Sequence, residues 1–234
     1  GLPTDHPRPS QQQGQGKQFK LALPSKTHDS LRQIAQQHDC TLFMVLFAAF
    51  NALLYRFSGQ TDLCVGVPMA NRHHVETQNL IGIFLNILAM RTRVEGEESF
   101  TSLLDKVRLH ALDSQAHSDL PFAHLVQLLQ PVPQQAYNPY FQVMFNWVAN
   151  PEAEQSAECS ATGLVVEPFF DNQEESVQSI SNLDIVVALS PSADGGIATS
   201  WLYNTALFEH ETIEFLAQSY QHLLEQVIEQ SDRP

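Results

Sequence analysis

Leu42-Phe43-Met44-Val45-Leu46-Phe47-Ala48-Ala49-Phe50-Asn51-Ala52-Leu53-Leu54-Tyr55-Arg56-Phe57 is the most apolar stretch of the chain, interrupted only by Asn51 and Arg56. It is shorter than the roughly 20 residues that a membrane-spanning helix needs. A helix that is apolar nearly all round belongs inside a protein, covered by other elements. Thr41 stands where an N-cap residue is expected and marks its start. The rest of the chain must therefore supply layers around this helix.

Working outward, those layers are legible. Upstream, Leu31, Ile34, Ala35 and His38 repeat at helical spacing behind Ser25, which stands in the N-cap position. Before them Phe19, Leu21 and Leu23 alternate with polar or small residues, the mark of a short strand. Downstream, Leu63 to Val67 is a second β-rich run. Phe84 to Met90 is apolar on nearly every residue, which predicts a central strand covered on both faces. Ser99 opens a helix whose Phe100, Leu103, Leu104, Val107 and Ala111 share one face. Pro121 fits the first turn of a short helix ending near Gln130, before the breakers Pro131 and Pro133. Strands are predicted at 140–148, 163–170, 182–190 and 197–203, with Asp194-Gly195-Gly196 turning the last pair into a hairpin. A final helix begins after Phe208 and presents Ile213, Leu216, Tyr220, Leu223, Leu224, Val227 and Ile228 to the core. Strands and helices in this mixed order define an α/β lobe, a two-layer sandwich of a mixed sheet covered by helices.

Composition narrows the function classes. The chain has 26 Asp and Glu against 12 Lys and Arg, a formal net charge of −14. Such a surface repels phosphate backbones and anionic lipid, which argues against nucleic-acid or membrane partners. Cys40, Cys64 and Cys159 show no metal-ligand spacing, and their odd number fits a reducing, cytoplasmic setting. The histidines show no metal-ligand clustering, and no glycine-rich phosphate loop or G-x-S-x-G elbow occurs. Residues 1–16 are linker-like, with prolines and glycines around Ser10 and Gln11 to Gln13. Residues 17–234 then form the lobe. A start at Gly1 rather than Met reads as a cut from a longer polypeptide.

Three strings in this order carry a resemblance: Ile81-Gly82-Ile83-Phe84-Leu85-Asn86-Ile87-Leu88-Ala89-Met90-Arg91, His117-Ser118-Asp119-Leu120-Pro121-Phe122, and Asn138-Pro139-Tyr140-Phe141-Gln142-Val143-Met144-Phe145. With Leu2-Pro3-Thr4-Asp5, Thr41-Leu42-Phe43-Met44, Ser58-Gly59-Gln60-Thr61-Asp62, Gly66-Val67-Pro68-Met69-Ala70-Asn71-Arg72 and Tyr203-Asn204-Thr205-Ala206-Leu207-Phe208, the chain resembles the C-terminal lobe of a condensation domain from nonribosomal peptide synthetases. Departures from the family pattern at Ser118, Ala123, Gln134 to Tyr137, Leu85 and Ile87 bear on subtype rather than fold. The resemblance implies one lobe of a chloramphenicol acetyltransferase-like pair. In the whole domain, an upstream donor thioester and a downstream aminoacyl thioester meet in a tunnel between lobes, and an amide bond forms. It implies as partners the N-terminal lobe, upstream and downstream carrier proteins and a neighbouring adenylation domain. Phosphopantetheine is implied to arrive on those carriers, with no cofactor bound directly. The family's catalytic signature, two adjacent histidines followed by three residues and Asp-Gly, does not occur in this chain.

The resemblance places Asn86, Arg91, Ser181 and Asn182 on the tunnel wall. Asn86 is the leading candidate, because an amide inside an apolar run needs a partner or its burial costs roughly 1–3 kcal/mol. By family position it orients substrate or the absent histidine; as a strand-end amide it is satisfied by backbone. For Arg91 a surface ion pair is the default. His73-His74 lacks the Asp-Gly that the signature requires, since Gln78 and Asn79 stand there, and reads as a solvated loop; the resemblance implies only that this loop floors the tunnel. His117 and Asp119 read as a cap and a loop anchor, with Asp119 accepting amides from the first turn of the following helix. Asp184 alternates with apolar neighbours and reads as an exposed strand residue. An epimerisation or heterocyclisation relative, or a non-catalytic module that recruits a partner enzyme, shares the same lobe architecture.

Overall fold

A computed structural model describes residues 2–10, 15–72, 75–130, 138–148, 178–179 and 183–230. The strand expected at 163–170 lies outside them, as do Cys159, His73-His74, Ser181 and Asn182. The elements run β1 (Gln15–Leu23), α1 (Ser25–Gln37), α2 (Leu42–Ser58), β2 (Asp62–Met69), α3 (Val75–Gln78), β3 (Asn86–Arg93), α4 (Phe100–Ala116), α5 (Phe122–Leu129), β4 (Val143–Trp147), β5 (Gln178–Ser179), β6 (Ile185–Pro191), β7 (Ile197–Asn204) and α6 (His210–Gln230).

The strands make one mixed sheet in the order β3-β2-β4-β6-β7-β1-β5. β2, β4 and β6 are parallel neighbours, and the remaining pairings are antiparallel. Side chains alternate across the pleat. Leu63, Val65, Val67, Val143, Phe145, Ile185, Val187, Ile197 and Trp201 face one core shared with α1, α2, α4 and α6. Cys64, Ile87, Ala89, Met144, Val186 and Leu202 face a second, smaller cluster built on Phe141 and Leu183, to which α5 contributes Phe122.

The apolar stretch is α2, and every side chain from Met44 to Asn51 is buried. Thr41 caps it by accepting from Met44 N at 3.3 Å. Gly59 closes it in the left-handed conformation at φ 69°, where a side chain would strain the backbone. Asn51 is only half satisfied in this setting: its Nδ2 donates back to Phe47 O at 2.8 Å, while its buried Oδ1 has no hydrogen-bond partner among the described residues. Around it Phe50 meets Phe145, Trp201 and Tyr220 at centroid distances of 5.0, 6.1 and 6.0 Å. The Tyr220 hydroxyl donates to Leu46 O at 2.9 Å, and burial pushes that phenol well above its ordinary pKa. Each such large side chain, fully buried, contributes roughly 1.5–3 kcal/mol.

Three local expectations are corrected. Ser25 is the first residue of α1 rather than its cap; Pro24 holds that position without a side-chain bond. The strand read over 84–90 begins only at Asn86, and it ends the sheet order, paired to β2 alone among the described residues. Its apolar content faces a core on one side and the small α5 cluster on the other, so two-sided burial does not require a central position. Asp184 is not exposed. It is 1% accessible at the side chain and paired with Arg8, whose Nη1 donates to Oδ1 at 2.8 Å.

That ion pair is part of how residues 2–10 are fastened to the rest of the fold. Asp5 accepts from Glu209 N at 2.8 Å and from Thr212 Oγ1 at 3.0 Å, capping α6 from a distant part of the chain. Asp5 N and His6 N both donate to Leu207 O. Segment 2–10, linker-like in composition, is held as a strap.

Candidate functional site

α4 packs in the large core on one sheet face, while α5 anchors Phe122 in the small cluster on the other. The turn between them, 117–121, must therefore pass around the β3 margin of the sheet. Asn86, the first residue of β3, holds it there. Its Nδ2 donates to Ser118 O at 2.8 Å and to Leu120 O at 2.9 Å. Its Oδ1 accepts from Ile87 N at 2.9 Å and from Phe122 N at 3.0 Å. Both ends of the amide are thus satisfied by backbone, and the residue is 9% exposed. Of the two readings open in the sequence, the hydrogen-bonding is that of the second.

The bond to Phe122 N corrects the role expected of Asp119. Pro121 is the N-cap of α5 and carries no side-chain bond, Asp119 is exposed, and the first free amide of the helix goes to Asn86. His117 does act as a terminus, as the C-cap of α4, with Nδ1 donating to Asp113 O at 2.9 Å. The buried Ser118 hydroxyl donates to Gln115 O at 2.8 Å, tightening the same turn.

Behind the turn an aromatic wedge fixes the small cluster. Phe122 meets Phe141 at 5.3 Å and Tyr140 edge-on at 6.1 Å. Phe141 is 1% exposed and packs against Gly66, where an added Cβ would come within 2.4 Å of the ring. A side chain at 66 and that ring cannot share the space, which is why β2 carries a glycine mid-strand. Nothing in the sequence assigned this wedge a role, although a glycine inside a strand pattern was a signal of close approach.

The other candidates are not brought together here. Arg91 stands five positions along β3 from Asn86, so the pleat turns the two side chains to opposite faces. It pairs with Asp62 through Nε at 2.7 Å and Nη2 at 2.5 Å, both groups exposed. The hydrogen bond from Arg91 holds the Asp62 carboxyl below its ordinary pKa and raises Arg91 in turn. Cys64 lies half-buried between strands, and burial pushes its thiol up to about 11.

Directly before β3 the surface changes character. Val75, Leu80, Ile81, Ile83 and Leu85 are all exposed, Ile81 at 105% and Ile83 at 97%. Arg72 spans this loop from the inside. Its guanidinium donates to the carbonyls of Thr77, Leu80 (2.9 Å) and Gly82 (3.1 Å), and it lies 4.4 Å from the centre of the Phe84 ring. The arrangement is one of hydrogen-bonded backbone, aromatic packing and presented apolar surface. The groups that hold the turn are committed to backbone, so what it can do chemically is shape and position.

Comparison with known proteins agrees with that architecture. The chain belongs to the condensation domain family, whose model matches residues 1–234. It is 42% identical over 223 residues to a linear gramicidin synthase of Brevibacillus parabrevis, covering 95% of this chain and 3% of that protein. It is 37% identical over 213 residues to malpinin synthetase of Mortierella alpina, covering 91% of this chain and 3% of the synthetase. Its fold is similar to the X-domain from teicoplanin biosynthesis, alone (TM-score 0.87, 51% of that chain) and in complex with OxyB (TM-score 0.85, 50%); both are 26% identical and cover all of this chain. The mixed sheet with its helical cover is thus the chloramphenicol acetyltransferase-like α/β fold that the resemblance implied. The chain spans a small fraction of the synthetases it matches and about half of the X-domain chains. Among the described residues no single helix is long and apolar enough to cross a membrane.

Proposed function

We propose that this chain is the C-terminal lobe of a condensation domain and works only when joined to an N-terminal lobe that carries the histidine signature. The whole domain then forms an amide bond between two carrier-bound thioesters. The acceptor amine attacks the donor thioester carbonyl, the carbon–sulfur bond breaks, the donor arm leaves as a thiol, and the amine nitrogen gives up one proton. The upstream and downstream carriers bring their acyl groups on phosphopantetheine arms, with an adenylation domain loading the acceptor, in a cytoplasmic synthetase. On this reading the lobe supplies one wall of the tunnel. Asn86 holds the 117–121 turn against the β3 margin, and the resemblance assigns Ser181 and Asn182, which lie outside the described residues, to the same wall. Arg91, held by Asp62, braces its rim.

The observation that carries this is the apolar loop 75–85, with Ile81 and Ile83 as exposed as in an extended peptide. Exposed apolar side chains gathered this densely mark a surface that another protein body covers. The X-domain chain is about twice as long as the part this chain matches, which leaves room for such a body. The complex of that X-domain with OxyB favours a second reading, in which the lobe belongs to a module that recruits an enzyme and makes no bond. The test is a condensation assay with loaded donor and acceptor carriers. The chain alone should give the uncatalysed rate, and the chain joined to its N-terminal lobe should give amide product. Placing a histidine base beside the reacting amine is worth roughly 10²–10⁴-fold. Product formed by the lobe alone and abolished by His73→Ala or His74→Ala would overturn the proposal. A joined domain that binds a partner enzyme but forms no amide would establish the second reading.

A further inference from the structure

The loop from Val75 to Leu85 presents its apolar side chains to solvent, which is the arrangement a free loop avoids. Beyond the single turn of α3 it has no regular secondary structure to hold that shape. Five exposed large apolar residues would otherwise fold back on the lobe or sample many conformers, since an unbraced segment keeps its entropy. What opposes this is Arg72. From one side chain it donates to the carbonyls of Thr77, Leu80 and Gly82, and it also covers the Phe84 ring. Only a planar guanidinium with several fixed donors can reach three carbonyls and stack at once; a lysine ammonium is a point charge without a face.

We propose that Arg72 is a positioning residue that presets loop 75–85 as a docking surface, so that the N-terminal lobe meets a preformed apolar ridge. This rests on the two-lobe reading above and adds the element that makes the contact efficient. A surface ordered before binding does not lose its freedom at the moment of binding, and the saving appears in affinity and in the association rate.

The experiment uses this chain, its Arg72→Ala and Arg72→Lys variants, and the N-terminal lobe of the same domain produced as a separate polypeptide. Amide hydrogen exchange is followed over 75–85, and association is followed in a stopped-flow instrument. In Arg72→Ala, loop exchange should rise at least tenfold while the cooperative melting transition stays within a few degrees of the parent. Docking should weaken at least tenfold, with most of the loss in the association rate. Arg72→Lys should fall between. Ile83→Asp, which leaves the Arg72 contacts in place, should abolish docking with loop exchange unchanged. An Arg72→Ala loop as protected as the parent, or a loosened loop that docks as fast and as tightly as the parent, overturns the inference. If the parent chain itself does not bind the N-terminal lobe, the two-lobe reading falls and the docking role falls with it.

Discussion

Asn86→Ala removes an amide that makes four hydrogen bonds to backbone, to Ser118 O, Leu120 O, Ile87 N and Phe122 N. A protein hydrogen bond has a net worth of about 1 kcal/mol, so four set a ceiling of about 4 kcal/mol for simple loss. The groups left behind do not suffer equally. Ser118 is buried and Ile87 half-buried, while Leu120 is exposed and water can replace its partner. The four bonds also act on one turn and are not independent. An expected loss of about 2–3 kcal/mol follows. At roughly 2–4 °C per kcal/mol for a chain of this length, the melting temperature should fall by about 5–10 °C. Urea unfolding gives the free energy directly. Asn86→Asp sharpens the test. It keeps both acceptor contacts but turns oxygen toward two carbonyls, so at neutral pH it should destabilise at least as much as alanine. On acidification it should recover in part, as a protonated carboxyl regains one donor. In the joined domain, loss of activity should track loss of the folded turn. A fall under about 1 kcal/mol with sharply reduced product per folded molecule would show that the amide serves substrate, and the account of Asn86 as a brace would be wrong.

Arg8→Ala leaves the Asp184 carboxylate, 1% exposed, without its guanidinium; a broken buried pair of this kind costs about 3–5 kcal/mol, and a urea midpoint near the parent's would contradict the strap's role. Gly66→Ala drives a Cβ to within 2.4 Å of the Phe141 ring, so it should cost about 1–3 kcal/mol by overpacking. Phe141→Leu in the same chain should recover part of that, and no recovery would place the clash elsewhere. The Asp62 carboxyl is held below its ordinary pKa by the hydrogen bond from Arg91. A lowered folded value means stability that is present above the unfolded pKa and lost as pH falls through the folded one. The stability gap between the parent and Asp62→Asn should therefore be full at about pH 5 and shrink toward about pH 2, and a gap that does not change with pH would refute the coupling.

The main helices were legible because the information that makes them is local. In α2, α4 and α6 the apolar period selects the buried face, and Thr41 and Ser99 cap within three residues of their partners. Strands β1, β2, β6 and β7 follow for the same reason: alternation and turn residues act over short separations, and one face of a pleat must find a core. Where a neighbour competed, the local reading slipped. Pro24 took the cap position ahead of Ser25, and the apolar run before β3 went to an exposed loop because hydrophobicity does not say which body will cover it.

The site depended on contacts between distant parts of the chain, and there the sequence alone was insufficient. Alternation marked Asp184 as exposed; the structure buries it because Arg8, 176 positions away, arrives to neutralise it. Asp119 looked like the cap of α5, yet the amide of Phe122 goes to Asn86, 36 positions earlier, because β3 runs past the turn at bonding distance. The sequence could mark Asn86 as a polar group in need of a partner, since that follows from the cost of desolvation. Which partner it found was decided by packing, because a hydrogen bond depends on where two groups end up in space and not on how far apart they lie along the chain.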